Sequence, residues 1–349
     1  LFALYPSKKT GIQLMKVRAT APTRIDLAGG TLDLYPIYLF EEGGLTLNCA
    51  IDMFCTATIE LRADARVCLS SLDLRIEEKC DHMDSLCCFG ELGIVARAVK
   101  FFNLPNGLNI TTQNGVIKGS GLGASSSLLI AVLAALNALS NSPYSRDELI
   151  DVAADLEAQC IRVPTGKQDY YAAVYGGVSA LWFGVRGGKR EKLLDKTAVD
   201  ELEKRLILSF TGAPRFSGAT NWTMMRNYIE GNPETREGMK HIKQIALSMR
   251  SCLVKKDWDE FARLLDTEWQ RRRTLGEGVT TDSVEKIMRA ALHAGALANK
   301  LCGAGGGGCM ITCIRPEERA RVAAALTDAG AQVLPFKIIT DGLKIEHLS

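Results

Sequence analysis

The chain has 349 residues, of which 47% are apolar and 23% charged, so it can bury a sizeable core and is too apolar for a disordered chain. Lys plus Arg (42) nearly balances Asp plus Glu (40), which removes the global basic field that nucleic acid or an anionic membrane surface would need. An anionic ligand must then be held by a local site. Residues 1–14 precede the first methionine, Met15, and are read as an upstream extension outside the fold.

In chain order, Val17 to Leu27 reads as extended, and Cys55 to Leu61 alternates and is rich in β-branched residues, as a strand does. Short strands are expected at Arg66–Ser70 and Gly107–Thr112, with a helix between them at Leu92–Phe102. Leu128–Leu139 is an apolar helix, too short to span a bilayer and so a core element. A helix follows over Ser145–Cys160, opened by a capping box in Ser145-Arg-Asp-Glu148. Val178–Phe183 is a strand between glycine-rich turns, and the charged, glycine-bearing segment Arg186–Asp195 is the expected domain boundary. Beyond it lie a strand at Leu206–Phe210 and helices near 218–230, 234–253, 256–274 and 281–294. The end reads strand–helix–strand: Cys309–Ile314, Pro316–Ala329 and Gln332–Ile339.

The eleven cysteines are scattered and odd in number, and no pair of C-x-x-C motifs accompanies the four histidines. That composition argues against zinc and against a disulfide scaffold, and for reduced thiols in a cytoplasm. No signal-peptide layout and no run of about twenty apolar residues is present, so neither export nor membrane spanning is expected.

Four segments carry chemistry. Gly119-Ser-Gly-Leu-Gly-Ala-Ser-Ser-Ser127 places three glycines at alternate positions just before the apolar helix. Backbone N–H groups and the positive end of the helix dipole then face whatever the loop holds, which is a phosphate cradle. The serines add hydroxyls for oxygen or magnesium. The loop is neither a Walker A sequence nor a G-x-G-x-x-G turn; its bland alternative is a capped Gly/Ser turn. Gly303-Ala-Gly-Gly-Gly-Gly308 packs five glycines into six residues between apolar segments, which suits close packing on another loop or on phosphates. In Pro22–Asp33, Arg24 can neutralise phosphate charge and Asp33 can accept from substrate hydroxyls. In Pro164–Tyr170, Asp169 can orient and deprotonate an acceptor hydroxyl for in-line phosphoryl transfer, with Lys167 beside it. The ordinary alternatives are surface ion pairs for Arg24 and Asp33, a helix cap for Asp169 and a solvated helix carboxylate for Glu157.

In this order and spacing the segments resemble the GHMP kinase superfamily over nearly the whole chain from Lys16. Gly166-Lys-Gln-Asp169 and the run that follows are most similar to D-glycero-D-manno-heptose phosphate kinases, as is Thr211-Gly-Ala-Pro-Arg215-Phe-Ser217. The resemblance implies an α+β fold of two domains: a ribosomal-protein-S5-like ATP-binding domain over 15–190 and a ferredoxin-like domain over 191–349. It implies ATP and Mg2+ as cofactors and a sugar or sugar phosphate as partner. A homodimer is left open, with no nucleic-acid or membrane partner.

Carried over by position, Asp169 is the catalytic aspartate, with Lys167 and Arg24 as catalytic companions. Gly119, Ser120, Gly121, Leu122, Gly123, Ala124, Ser125 and Ser126 hold the nucleotide together with Gly305 and Gly306. Ser125 and Glu157 bind the metal. Gly30, Thr31, Asp33, Gly166 and Arg215 line the acceptor site. Motif one reads Gly-Gly-Thr-Leu-Asp where heptose kinases read Gly-Gly-Gly-Thr-Asp, which puts Thr31 and Leu32 at the substrate. The expected reaction is transfer of the ATP γ-phosphate to a sugar or sugar phosphate hydroxyl. A galactose, fucose or isoprenoid acceptor is the runner-up, and a nucleotide sensor of the same fold is the non-enzyme alternative.

Overall fold

The computed structural model describes residues 15–212, 217–276 and 278–348. Its first half is β1 (Lys16–Ala28), α1 (Ile37–Phe40), β2 (Gly44–Leu61), β3 (Val67–Ser71), β4 (Ile76–Cys80), α2 (Gly93–Phe102), β5 (Leu108–Asn114), α3 (Ala124–Ala138), α4 (Arg146–Ile161), α5 (Gln168–Tyr175), β6 (Val178–Gly184) and β7 (Gly187–Lys192). The second is α6 (Lys196–Lys204), β8 (Leu206–Phe210), α7 (Ser217–Ile229), α8 (Pro233–Lys255), α9 (Trp258–Arg272), α10 (Asp282–His293), β9 (Ala298–Leu301), β10 (Cys309–Cys313), α11 (Arg319–Asp328), β11 (Gln332–Leu334) and β12 (Lys344–Leu348).

The larger sheet runs β12-β1-β2-β5-β3-β4, with β6 and β7 added along β2. Strand β2 is long enough to serve two partners: residues 44–49 pair with β6 and residues 55–61 with β5. Along β1 the outer residues Lys16, Arg18 and Thr20 alternate with fully buried Val17, Ala19 and Ala21, so one face of this sheet is wet and the other packs under helices α2 to α5. Helix α3 lies at the centre of that core, with Leu129 through Leu136 all buried. The capping box expected at Ser145 is formed, Ser145 Oγ accepting from Glu148 N–H while the Glu148 carboxylate accepts from Ser145 N–H.

The smaller sheet is ordered β11-β8-β10-β9 and fully antiparallel. With helices between β8 and β9 and between β10 and β11, this is the βαββαβ arrangement of a ferredoxin-like domain. The segment 186–195, expected as a solvated boundary, instead contributes β7, which pairs with β6 from Ser179 to Gly184. Chain beyond the second sheet also returns to the first, because β12 pairs with β1 over Lys16–Thr20. The strand expected over Gln332–Ile339 stops at Leu334.

Candidate active site

The phosphate-loop reading rests on local backbone that only glycine accepts cheaply. Gly119, Gly121 and Gly123 have φ of 75°, 75° and 76°, and the residues between them turn inward. A Cβ at Gly121 would stand 2.6 Å from the Cys302 carbonyl oxygen. Ser120 is buried and its carbonyl accepts from Cys309 N–H at 2.6 Å. Leu122 is fully buried among core side chains and anchors the loop from behind, its carbonyl accepting from Arg24 N–H at 3.0 Å. Its expected nucleotide contact is therefore corrected to an anchoring role: an apolar residue between glycines of positive φ is thrown to the core side. Helix α3 starts at Ala124 with no side-chain cap, so its first-turn amides open to the cleft.

The second glycine cluster backs this loop. A Cβ at Gly303 would lie 3.2 Å from the Gly121 carbonyl oxygen, and one at Gly308 would lie 2.6 Å from that of Ser120. Gly303 and Ala304 line the cleft. Gly305 and Gly306 do not; they pack on Val279, whose carbonyl accepts from Gly306 N–H at 2.6 Å, so their expected nucleotide contact is replaced by loop packing.

Opposite the loop stands Asp169, in the first turn of α5. Arg24 clamps it, Nε at 2.8 Å and Nη2 at 2.6 Å from Oδ1, while Arg24 Nη1 donates to the Gly121 carbonyl at 2.6 Å. One guanidinium thus ties the carboxylate to the phosphate loop. Burial pushes the Asp169 carboxyl above the ordinary range, and Arg24 opposes that rise. The carboxylate keeps an exposed edge of 19% toward the cleft. Gly123 is required here as well, since a Cβ would come within 2.8 Å of Asp169 Oδ2.

Glu157 is a buried carboxylate at the loop's other side. Its Oε2 accepts from Ser126 Oγ at 2.7 Å and from the Tyr170 hydroxyl at 2.5 Å. Burial raises its pKa, while the Tyr170, Ser126 and Ser125 hydroxyls oppose the rise. Ser125 itself is exposed at the lip of the cleft. Among the described residues no group of three or more His, Cys, Asp or Glu side chains could chelate a metal unaided. The hard oxygens of Ser125, Ser126 and Glu157 do fit a magnesium ion that takes its remaining ligands from phosphate and water.

The other end of the cleft is built from Gly30, Thr31, Asp33, Gly166 and Gln168. Asp33 is 2% exposed and accepts from Gln168 N–H at 2.9 Å. Burial lifts its carboxyl to about 6; the Gln168 N–H pulls it down and the Asp169 charge pushes it up. Thr31 sits at φ 80°, a costly conformation for a β-branched residue. Arg272 steadies it, Nη2 donating to the Gly30 carbonyl at 2.9 Å and Nη1 reaching Thr31 Oγ1 at 3.5 Å. Leu32, expected at the substrate, is fully buried in the core. Lys167 does not line the cleft: its ammonium pairs with Asp151 at 2.6 Å. Arg215 lies outside the described residues.

Sequence reasoning missed the charged floor under these loops. Lys300 Nζ sits 2.9 Å from Asp26 Oδ2 and 4.0 Å from Glu268 Oε2, and Arg272 binds Glu268 Oε1 through Nε and Nη2 at 2.9 and 2.6 Å. All four side chains are essentially unexposed. The one signal available was the i,i+4 spacing of Glu268 and Arg272, which on most helices marks a surface pair. A second cavity, of about 410 Å³, adjoins the cleft at Ser125 and Ile161 and is walled by Cys88, Phe89, Ile94 and Arg162. The Arg97 and Arg162 guanidinium groups stand 5.6 and 5.8 Å from the Phe89 ring centroid.

Fold and cleft together define a phosphoryl-transferring enzyme whose loop-and-helix cradle faces a clamped carboxylate. The GHMP kinases N terminal domain matches residues 93–177, the GHMP kinases C terminal domain matches residues 249–332, and the chain belongs to this family of ATP-dependent kinases. It is 29% identical to D-glycero-alpha-D-manno-heptose 7-phosphate kinase of Campylobacter jejuni, over 94% of this chain and 98% of that one. It is likewise 29% identical to the crystal structure of a D-glycero-D-manno-heptose 1-phosphate kinase from Bacteroides thetaiotaomicron, with a TM-score of 0.78 over 95% of this chain and 99% of that one. Lactococcus lactis galactokinase, solved with galactose, shares the fold at a TM-score of 0.75 and 19% identity, over 94% of this chain and 95% of that one.

Proposed function

We propose that this kinase transfers the γ-phosphate of ATP to a hydroxyl of a heptose phosphate. The observation that carries the reading is the placement of Asp169, clamped by Arg24 against the Gly119–Ser126 loop and lining the same cleft. A carboxylate there accepts the proton of an acceptor hydroxyl as the phosphate held by the loop is attacked in line. The amides of Ala124, Ser125 and Ser126 hold the β- and γ-phosphates, and Arg24 balances charge on the reacting oxygens. Ser125 and Glu157 would hold a magnesium ion, which when bound would supply charge neutralisation for the phosphates. The cavity walled by Phe89, Ile94 and Cys88 seats the adenine, because its aromatic and apolar walls suit a planar base and it opens beside Ser125.

Heptose specificity is drawn from the two relatives named for heptose phosphates, one for the 7-phosphate and one for the 1-phosphate. Asp33, Thr31 and the Gly30 and Gly166 backbone meet the sugar hydroxyls in this reading. A two-domain division that keeps β7 whole with the first sheet, homodimer assembly and a cytoplasmic location belong to the same reading; the eleven cysteines, all unbridged, support the last. An ADP-release assay with heptose 7-phosphate, heptose 1-phosphate, galactose, fucose and mevalonate tests the acceptor. Turnover highest with a heptose phosphate is expected. Turnover highest with galactose, fucose or mevalonate would reassign the acceptor, and ATP binding without turnover on any of them would favour a sensor.

A further inference from the structure

Helix α5 starts without a cap of its own. Lys167, the residue before it, makes no side-chain hydrogen bond to the first turn, and its ammonium is committed to Asp151. The first-turn amides of a helix of eight residues need an acceptor from somewhere. Gln168 N–H finds one on a segment 135 residues away, at Asp33 Oδ2, 2.9 Å distant and buried. The approach is built in, because a Cβ on Gly166 would stand 2.2 Å from that same oxygen. Asn48 Nδ2 donates to the Gln168 carbonyl at 3.0 Å and fixes the residue from its other end. The next residue is Asp169.

We propose that Asp33 is the N-cap of α5, supplied by a distant segment, and a positioning residue for the Asp169 carboxylate as well as a wall of the acceptor pocket. An anionic acceptor at a helix N-terminus satisfies an orphan amide and complements the dipole, so it fixes the first turn from which Asp169 projects. Asp33 also lines the cleft, so acceptor contact and alignment of Asp169 share one side chain. The proposal rests on Asp169 being the acceptor's base, and its test keeps the two apart.

The test compares Asp33→Ala, Asp33→Asn and Gly166→Ala by amide exchange over residues 168–171 without ligands, and by kcat and KM with Mg-ATP and heptose 7-phosphate. Asparagine keeps an oxygen that can cap; alanine does not. Asp33→Ala and Gly166→Ala should exchange faster than wild type by about fivefold or more, while Asp33→Asn stays close to it. In turnover, Asp33→Ala should lose about tenfold or more of kcat relative to Asp33→Asn, whose main change is a raised acceptor KM. Equal exchange in all three variants and wild type, or equal kcat losses in the alanine and asparagine variants, overturns the cap. Gly166→Ala displaces the carboxylate without removing it, so it decides the matter if Asp33→Ala does not fold. An active Asp169→Asn enzyme would instead remove the base, leaving the exchange result to judge the cap alone.

Discussion

At the scale of single residues, the cleft carries its function in carboxylates whose surroundings work against their charge. Asp33 shows the cost. Its carboxyl is raised by burial from 3.8 to about 6, so the folded protein binds this proton more tightly than the unfolded chain does. The sign follows: below about pH 4 both states are protonated and nothing is lost. As pH rises from 4 through 6 the folded state must give up a proton it holds, and above that range the full penalty of about 3 kcal/mol applies. Asp33→Asn should thus be more stable than wild type at pH 7.5, with the advantage fading as pH falls to 4; denaturant melts across that range measure it. An advantage that grew toward acid would contradict the raised carboxyl. Asp169 and Asp33, singled out in two glycine-bearing segments far apart in sequence, are brought to one cleft by the fold. Lys167 was misread because adjacency along the chain says nothing about direction: at the start of α5 successive side chains diverge, and its ammonium finds Asp151.

At the scale of elements, two glycine turns form one device. The loop before α3 and the turn between β9 and β10 press backbone to backbone, with Gly121 against the Cys302 carbonyl and Gly308 against that of Ser120. Gly121→Ala adds a Cβ where φ is positive and the nearest carbonyl oxygen is 2.6 Å away. A loss of about 1–3 kcal/mol of stability is expected, together with a weakening of ATP binding by about tenfold or more, while acceptor KM changes little. Calorimetric titration of a non-hydrolysable ATP analogue reads the effect; unchanged nucleotide affinity would detach this loop from phosphate binding. Regular elements were legible where an apolar run or a cap marked them, as in α3, in α4 with its capping box, and in β8, found at Leu206–Phe210 as expected. Strand β7 was hidden because Gly187-Gly-Lys-Arg-Glu-Lys192 has no apolar face: it is a polar edge strand formed by pairing with β6 rather than by burial. Helix α5 was not among the expected elements: no local side chain caps its start, and its first amide finds Asp33, far away in sequence.

At the scale of the whole molecule, the cleft stays together because charges buried beneath it join elements of both sheets. Asp26 belongs to β1, Lys300 to β9, and Glu268 and Arg272 to α9. A buried pair of this kind gives little net stability but is costly to break on one side. Lys300→Met should cost about 3–5 kcal/mol by leaving Asp26 charged and unpaired, and adding Asp26→Leu should recover most of that loss. Thermal melts of the single and double variants decide; equal destabilisation by both would mean the charges do not act as a unit. No periodicity predicted this floor, since it is assembled from four positions that only the tertiary fold brings together. The two-domain frame, by contrast, came from the family resemblance that the ordered glycine-rich segments carry. Among the described residues no helix is long and apolar enough to cross a membrane.

The central claim is that Asp169, clamped by Arg24 against the phosphate loop, activates the acceptor hydroxyl. Asp169→Asn keeps the side chain's shape and removes its basicity. ATP affinity should remain within about threefold of wild type, while kcat with the preferred acceptor falls by about 10²–10⁴. Near-wild-type turnover in that variant would contradict the account.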